Sequence, residues 1–395
     1  MSEFDEIIDR SASGCVKYSA LKNLFGREDI IPLWVADMDW NTPGFIVDAM
    51  KERLAHPIFG YTSIPDSYFP MIAGWVKDLL DWQVDPSHIR YIPGIVKGIG
   101  FAERCFLQPG DKVIIQPPVY HPFRIVTENC GCQPVYNPLL PRYDEEGYLV
   151  GYDMDFDGLE SVIDDKCRML ILANPHNPAG VCWSRETLQR LASICAKHGI
   201  LVISDEIHGE MAFTDHAPYA SVSPEAAANS ISFLAPSKTF NIAGIVSSYC
   251  IVPDPAVREK FFAFLSSCEI DSPSIMSIVA TEAAYTKGAA WRREMLEYVS
   301  GNIDFVCGFL KDNVPGIRAL RPQASFLIWL DCRKLGLSHD ELISLFVDKA
   351  RIGLNDGAMF GAEGEGFMRL NVGCPRSILE TAMKQLAAAV ATLNR

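Results

Sequence analysis

Short runs of β-branched and aliphatic residues recur through the middle of this chain, and each stops at a polar or proline-bearing turn. Lys112-Val113-Ile114-Ile115-Gln116 follows Gln108-Pro109-Gly110-Asp111, and Met169-Leu170-Ile171-Leu172-Ala173 runs into Asn174-Pro175. Ile200-Leu201-Val202-Ile203-Ser204 runs into Asp205-Glu206, and Ile231-Ser232-Phe233-Leu234 into Ala235-Pro236-Ser237. Ser248-Tyr249-Cys250-Ile251-Val252 ends at Pro253. These runs lack clean alternation, the pattern of strands covered on both faces in a parallel sheet. Between two of them, Ser184 to His198 predicts a helix, with Ser184 as N-cap and Gly199 ending it. Met169 to Ser204 is then a strand–helix–strand crossover of roughly 30 residues. The chain is committed to an α/β fold, in which ligands sit beyond the carboxyl ends of the strands.

The last third changes character. Trp291 to Lys311 predicts a long helix, Ala324 to Leu330 and Phe367 to Val372 predict strands, and Arg376 to Leu393 predicts an amphipathic helix. We expect a large domain over 44–285, a smaller α+β domain over 286–395, and an N-terminal arm (1–43) packed with the latter. Gly361 to Gly366 reads as a loop. At 395 residues the chain can bury enough surface to fold without staples.

Composition excludes several classes. Thirty-five basic against 49 acidic residues give a formal charge of −14, which lacks the basic footprint of a nucleic-acid binder. No apolar run approaches the ~20 residues that span a bilayer, and the acidic opening Met1-Ser2-Glu3-Phe4-Asp5-Glu6 is unlike a signal peptide. Twelve cysteines spread from Cys15 to Cys374 without a Cys-x-x-Cys, as expected for reduced thiols in a cytoplasmic protein. The eight histidines are equally dispersed, so no metal site is expected.

Three chemically distinct side chains stand just past the predicted strands: Asn177, Asp205 and Lys238. Each alone has an ordinary reading, a solvated lysine or a helix-capping aspartate. Together they suit pyridoxal phosphate, which needs an amine for a Schiff base and an acid beside its ring nitrogen. Pro93-Gly94-Ile95-Val96-Lys97-Gly98-Ile99-Gly100 opens a helical stretch running to Phe106, where backbone N–H groups can face a phosphate. It is neither a dinucleotide fingerprint nor a Walker A loop.

The set Asn174-Pro175-His176-Asn177-Pro178-Ala179-Gly180, Ser204-Asp205-Glu206-Ile207-His208 and Ser237-Lys238-Thr239-Phe240-Asn241 resembles the fold-type I pyridoxal-phosphate enzymes, the class I/II aminotransferase group. Within it the chain is most similar to the MalY/PatB cystathionine β-lyase branch. That likeness is carried by Pro32-Leu33-Trp34-Val35-Ala36-Asp37-Met38-Asp39, Phe59-Gly60-Tyr61-Thr62 and Arg369-Leu370-Asn371-Val372-Gly373-Cys374-Pro375-Arg376. The resemblance implies a three-layer αβα large domain with a mostly parallel sheet.

It also implies roles. Lys238 matches the Schiff-base lysine, Asp205 the partner of the ring nitrogen, and Asn177 the amide on the ring hydroxyl oxygen. His208 lies where many relatives place a tyrosine on that oxygen, and a buried core histidine is its other reading. Tyr120 matches the aromatic stacked on the ring, and Ile95 and Val96 the backbone donors to the phosphate. Tyr61 resembles a tyrosine reaching the neighbouring subunit's phosphate, which implies a homodimer with shared active sites. Arg369 matches the clamp for the α-carboxylate of an amino-acid substrate. Trp34 either packs or lines the entrance. Two positions depart from the wider group. Ile245-Val246-Ser247 lacks the phosphate-binding arginine found eight residues after the lysine in many aminotransferases. Ala235 replaces a phosphate-contacting serine, leaving Ser237 or Thr239 to compensate.

The implied reaction is α,β-elimination of cystathionine or another S-substituted cysteine to a thiol, pyruvate and ammonia. A class I/II aminotransferase shares the same ring-binding residues and is the rival reading. A regulatory protein that keeps the fold without catalysis is the third. Substrate specificity is expected from the N-terminal arm and from Asn355 to Phe360.

Overall fold

The computed structural model describes residues 2–393. A seven-stranded sheet forms its centre, in the order Ile89–Ile92, Ser248–Ile251, Ser230–Leu234, Leu201–Asp205, Cys167–Ala173, Lys112–Ile115 and Gln133–Tyr136. Helices flank it, including Ile95–Phe106, Pro122–Asn129, Arg185–Lys197 and Pro255–Ser267. The crossover forms as its sequence predicts: Cys167–Ala173 pairs in parallel with Leu201–Asp205, with Ala173 opposite Asp205. Ser184 caps the intervening helix by accepting the Thr187 N–H at 3.1 Å, and Gly199 leaves it at a φ of +64°.

One strand departs from the expected parallel sheet. Ser248–Ile251 runs antiparallel to both its neighbours. The cause is its connection: 235–247 carries only a short turn at Ala243–Ile245, with no helix to carry the chain back across the sheet. The strand therefore starts where Ser230–Leu234 ends. Ser247 and Ser248 arrive at the same sheet edge as Asp205, as does Pro93-Gly94 after Ile89–Ile92, since Ser248 pairs with Ile92.

Beyond residue 287, helix Ala289–Asn313 leads into a four-stranded antiparallel sheet ordered Arg318–Leu320, Leu327–Asp331, Phe367–Asn371 and Asn355–Asp356. The expected strand from Ala324 starts three residues late. Ser325 sits at a φ of +77°, and the Gln323 and Ala324 N–H groups bond the Gly180 carbonyl instead of extending the ladder. The expected loop from Gly361 contains a single helical turn at Ala362–Gly364, and helix Arg376–Ala391 closes the described chain. Ile31–Pro32 pairs in parallel with Ile352–Gly353, tying the N-terminal segment to this region. All twelve cysteines are free. Among the described residues no helix is long and apolar enough to cross a membrane, and no cluster of His, Cys, Asp and Glu could hold a metal.

Candidate active site

The carboxyl edge of the sheet encloses a cavity of about 290 Å³. Its wall includes Ile95, Val96, Tyr120, Asn177, Asp205, His208, Ser237 and Lys238. Eight residues singled out from sequence thus meet in one place. Arg369 joins them through Asn177, and Tyr61 does not: it lies exposed on an irregular segment outside this wall. Thr239 is fully buried behind the wall, so of the two hydroxyls named to compensate for Ala235 only Ser237 faces the cavity.

Each element delivers its side chain for a local reason. Helix Ile95–Phe106 begins at Gly94, whose φ of +115° a side chain would resist, and its first turn, Ile95 to Lys97, lines the cavity with N–H groups that have no partner within the helix. Gly98 is the first of its residues to bond backward, to the Gly94 carbonyl at 2.8 Å. The Ile95 and Val96 N–H groups precede that bond and carry the positive end of the helix dipole. Gly98 also lets the helix lie close on the sheet, since a Cβ there would meet Ile92 Cδ1 at 2.6 Å. Ser247, which sequence reasoning noted only for lacking the arginine, also lines the cavity, and its buried Oγ has no hydrogen-bond partner. A hydroxyl in that arginine-free stretch was the available signal.

Asp205 closes strand Leu201–Asp205 and accepts the Ile207 N–H at 3.1 Å. Burial pushes its carboxyl up to about 7, against the pull of that N–H and of Lys238. An ionised Asp205 is therefore favoured by a cation placed opposite it. Lys238 sits in the turn after Ser230–Leu234 and donates to the Ala36 carbonyl at 2.5 Å. Burial first, then Arg369, lowers its ammonium to about 8, while Asp37 and Asp205 oppose the shift. Burial, with Lys238 and Arg369 nearby, drives His208 down to about 3, so its ring is neutral and can donate one N–H. Its Nδ1 is buried without a partner.

Arg369 is 4% exposed and no carboxylate pairs with it among the described residues. It donates to Asn177 Oδ1 at 2.9 Å and Asn355 Oδ1 at 2.7 Å, and its guanidinium lies 4.9 Å from the centre of the Phe360 ring. Burial lowers it to about 10, the mark of a buried cation lacking an anion. The Asn177 contact has a second effect. With its oxygen held by Arg369, the amide turns its NH₂ away from the arginine. Tyr120 is braced edge-on by Phe123, with ring centres 5.8 Å apart, and burial raises its phenol.

The segment Trp34 to Trp40 crosses this site with no strand partner, so its carbonyls must find donors elsewhere. Arg369 reaches the Trp34 carbonyl at 3.3 Å, and Asn371 takes those of Val35 at 2.5 Å and Asp37 at 2.7 Å. Asn241 takes those of Met38 at 3.0 Å and Trp40 at 2.8 Å. Trp34 itself packs against Phe25, edge-on, and donates its indole N–H to the Lys17 carbonyl. Asn241 and Asn371 stand inside motifs recognised in the sequence, yet nothing in their spacing announces this bracing task.

These residues can hold an anion at the helix start, a flat ring between Tyr120 and Asp205, a carboxylate at Arg369, and an amine between them. Comparison with known proteins places the chain in a family and a fold. A family model described as aminotransferase class I and II matches residues 28–386. Cystathionine beta-lyase PatB of Bacillus subtilis is 40% identical over 98% of this chain and 99% of its own. Protein MalY of Escherichia coli is 30% identical over 99% of both. The crystal structure of cystalysin from Treponema denticola, which contains a pyridoxal 5′-phosphate cofactor, superposes with a TM-score of 0.94 at 30% identity, covering 100% of both chains. With the family model spanning all but the two ends and relatives matched along their whole length, this chain belongs to the class I and II aminotransferase family.

Proposed function

We propose that this chain is a pyridoxal-phosphate-dependent carbon–sulfur lyase. It converts cystathionine or a related S-substituted cysteine into a thiol, pyruvate and ammonia. The observation that carries this reading is Lys238, an amine lowered to about 8 and set in one cavity with Asp205, with the buried Arg369 reached through Asn177. The 40% identity to PatB supports the choice of elimination within the family.

The residues present fit the cofactor. The helix start at Ile95 and Val96, with Ser237 and the unpartnered Ser247 hydroxyl, would hold the phosphate. Asp205 would face the ring nitrogen, Tyr120 the ring plane, and Asn177 and His208 the ring hydroxyl oxygen. Bound there, pyridoxal phosphate supplies an aldehyde for amines and a sink for the electron pair of the Cα–H bond.

The chain's own groups do the rest. Arg369 binds the substrate carboxylate through two parallel N–H bonds, which fixes the direction of the Cα–H bond. Lys238 Nζ, once free and neutral, takes the Cα proton as general base. Asp205 would stay ionised beside the ring nitrogen of the bound cofactor and would keep that nitrogen's proton in place. The Cβ–S bond breaks with its electron pair on sulfur, which leaves as thiolate and is protonated to the thiol. The 2-aminoacrylate released takes up one water and gives pyruvate and ammonia.

The protein is further proposed to act as a homodimer, with Tyr61 of each subunit completing the other's phosphate site. The exposure of Tyr61, Ile58 and Phe59 on one irregular segment supports this. Twelve free thiols support a reducing, cytoplasmic setting. Purified protein given cystathionine or a cysteine S-conjugate should release pyruvate and thiol in equal amounts without any keto acid, and given cystine it should release pyruvate and a persulfide. Efficient keto-acid-dependent amino exchange with no pyruvate would reject the proposal in favour of an aminotransferase.

A further inference from the structure

We infer that Arg10, Lys17, Asp37 and Asp39 form a positioning unit for Lys238: together they fix the segment whose Ala36 carbonyl accepts a hydrogen bond from the lysine amine. The inference rests on the reading of Lys238 as the group that moves the Cα proton.

The side chain of Lys17 is 0% exposed. An ammonium has three N–H donors, and three acceptors meet it: Asp37 Oδ1 at 2.9 Å, Asp39 Oδ1 at 3.0 Å and the Asp37 carbonyl at 3.0 Å. Arg10 closes the other side. Its Nη2 lies 2.7 Å from Asp37 Oδ2, and its Nη1 reaches Asp39 Oδ1 at 2.5 Å and the Met38 carbonyl at 3.1 Å. Two cations and two anions leave no net charge to bury, the condition under which such a cluster is tolerated.

Its place in the chain argues for more than packing. Asp37 and Asp39 lie within the Trp34 to Trp40 stretch, which has no strand pairing, and Ala36, the residue just before Asp37, offers the carbonyl that Lys238 uses. The location of that carbonyl therefore depends largely on side-chain tethers, to which the backbone adds the Asp37 N–H on the Val35 carbonyl at 2.9 Å and the Asp39 N–H on the Gly373 carbonyl at 2.8 Å. An amine acting as base must aim its lone pair at one hydrogen. A donated N–H held at a fixed acceptor removes most of its rotational freedom, and a misplacement of about 1 Å is enough to cost 100-fold. The charged groups facing Lys238 are Asp205, Arg369, Asp37 and Lys17, with neutral His208 beside them.

Two measurements test this. In cofactor-free protein, Lys238 is acetylated across a pH series and read by peptide mass mapping. Lys17→Met removes a facing positive charge and should raise the labelling midpoint, whereas Asp37→Asn removes a negative one and should lower it, each by about half a pH unit. In cofactor-loaded protein, exchange of the L-alanine Cα proton into D₂O is followed by NMR. Both variants should exchange about 10–100-fold more slowly per bound cofactor, at an unchanged half-saturating alanine concentration. Labelling midpoints that match the parent, or a parental exchange rate per bound cofactor, would overturn the inference. If a single variant does not fold, Lys17→Met/Asp39→Asn loses one charge of each sign and must show the same slowing; a parental rate in it is equally fatal. Alanine exchange does not require a leaving group. A parent that exchanges alanine yet releases no pyruvate from sulfur substrates removes the lyase reading and leaves this one standing.

Discussion

Lys238 shows how a residue's surroundings decide its chemistry. The same side chain after a strand would be a solvated cation; here the cavity wall lowers its ammonium to about 8 from an ordinary 10.5. Linkage turns that into a stability prediction. Between pH 8 and 10.5 the unfolded chain holds a proton at this site that the native chain has lost, so native stability rises with pH across the window. Below it the buried ammonium costs on the order of 3 kcal/mol. Urea unfolding of cofactor-free protein should show this rise in the parent and not in Lys238→Ala, measured as the difference between the two midpoints over that range. A pH-independent difference would mean the lysine is not held in a low-polarity setting. Single residues of this kind were the most legible part of the site. Lys238, Asp205 and Asn177 each end a strand or sit just past one, and each carries a chemistry the bland readings of the others do not supply. His208 kept two readings from sequence. Its place on the cavity wall, with an unpartnered Nδ1, favours contact with a ligand over a satisfied core role.

Secondary-structure elements were legible where local chemistry sets their ends, as with Ser184 and Gly199 around helix Arg185–Lys197. They were less so where distant backbone intervenes. Ser325 turns out of its expected strand because the Gly180 carbonyl, far off in sequence, captures the preceding N–H groups. The antiparallel Ser248–Ile251 strand was hidden for a different reason: an apolar run covered on both faces looks the same in either direction. Helix Ile95–Phe106 offers a test at this scale. Gly98→Ala places a Cβ against Ile92 and the Phe233 ring, so the helix must lift from the sheet. The expected loss is about 1–3 kcal/mol of stability, with weaker cofactor retention because the phosphate-facing N–H groups move too. Chemical denaturation and cofactor titration of the variant check both; a neutral result would mean that Ile92 repacks freely.

At the scale of the whole molecule, the site draws on parts of the chain that no local pattern connects. The Lys238–Ala36 bond joins residues 202 apart, and the Arg369–Trp34 bond joins residues 335 apart. Neither periodicity nor turn chemistry carries such information, which is why the bracing asparagines and the Lys17 cluster escaped the sequence. The proposed dimer makes the reach longer still. Lys238→Ala and Tyr61→Ala homodimers should each be impaired, and mixing them under exchange should restore activity. About half of the reassociated dimers are hybrids, each with one intact site of two, so recovery should approach about a quarter of the parental rate. No recovery on mixing would show that each subunit completes its own site.

The bracing of Trp34 to Trp40 has a consequence for anyone mapping this protein by substitution. What Ala36 contributes is an oxygen of the peptide backbone, which every one of the twenty amino acids would supply equally well. An alanine scan leaves this position as it is, and a bulkier residue would crowd the cavity that Ala36 lines, so the oxygen's contribution is read in the residues that hold the backbone still.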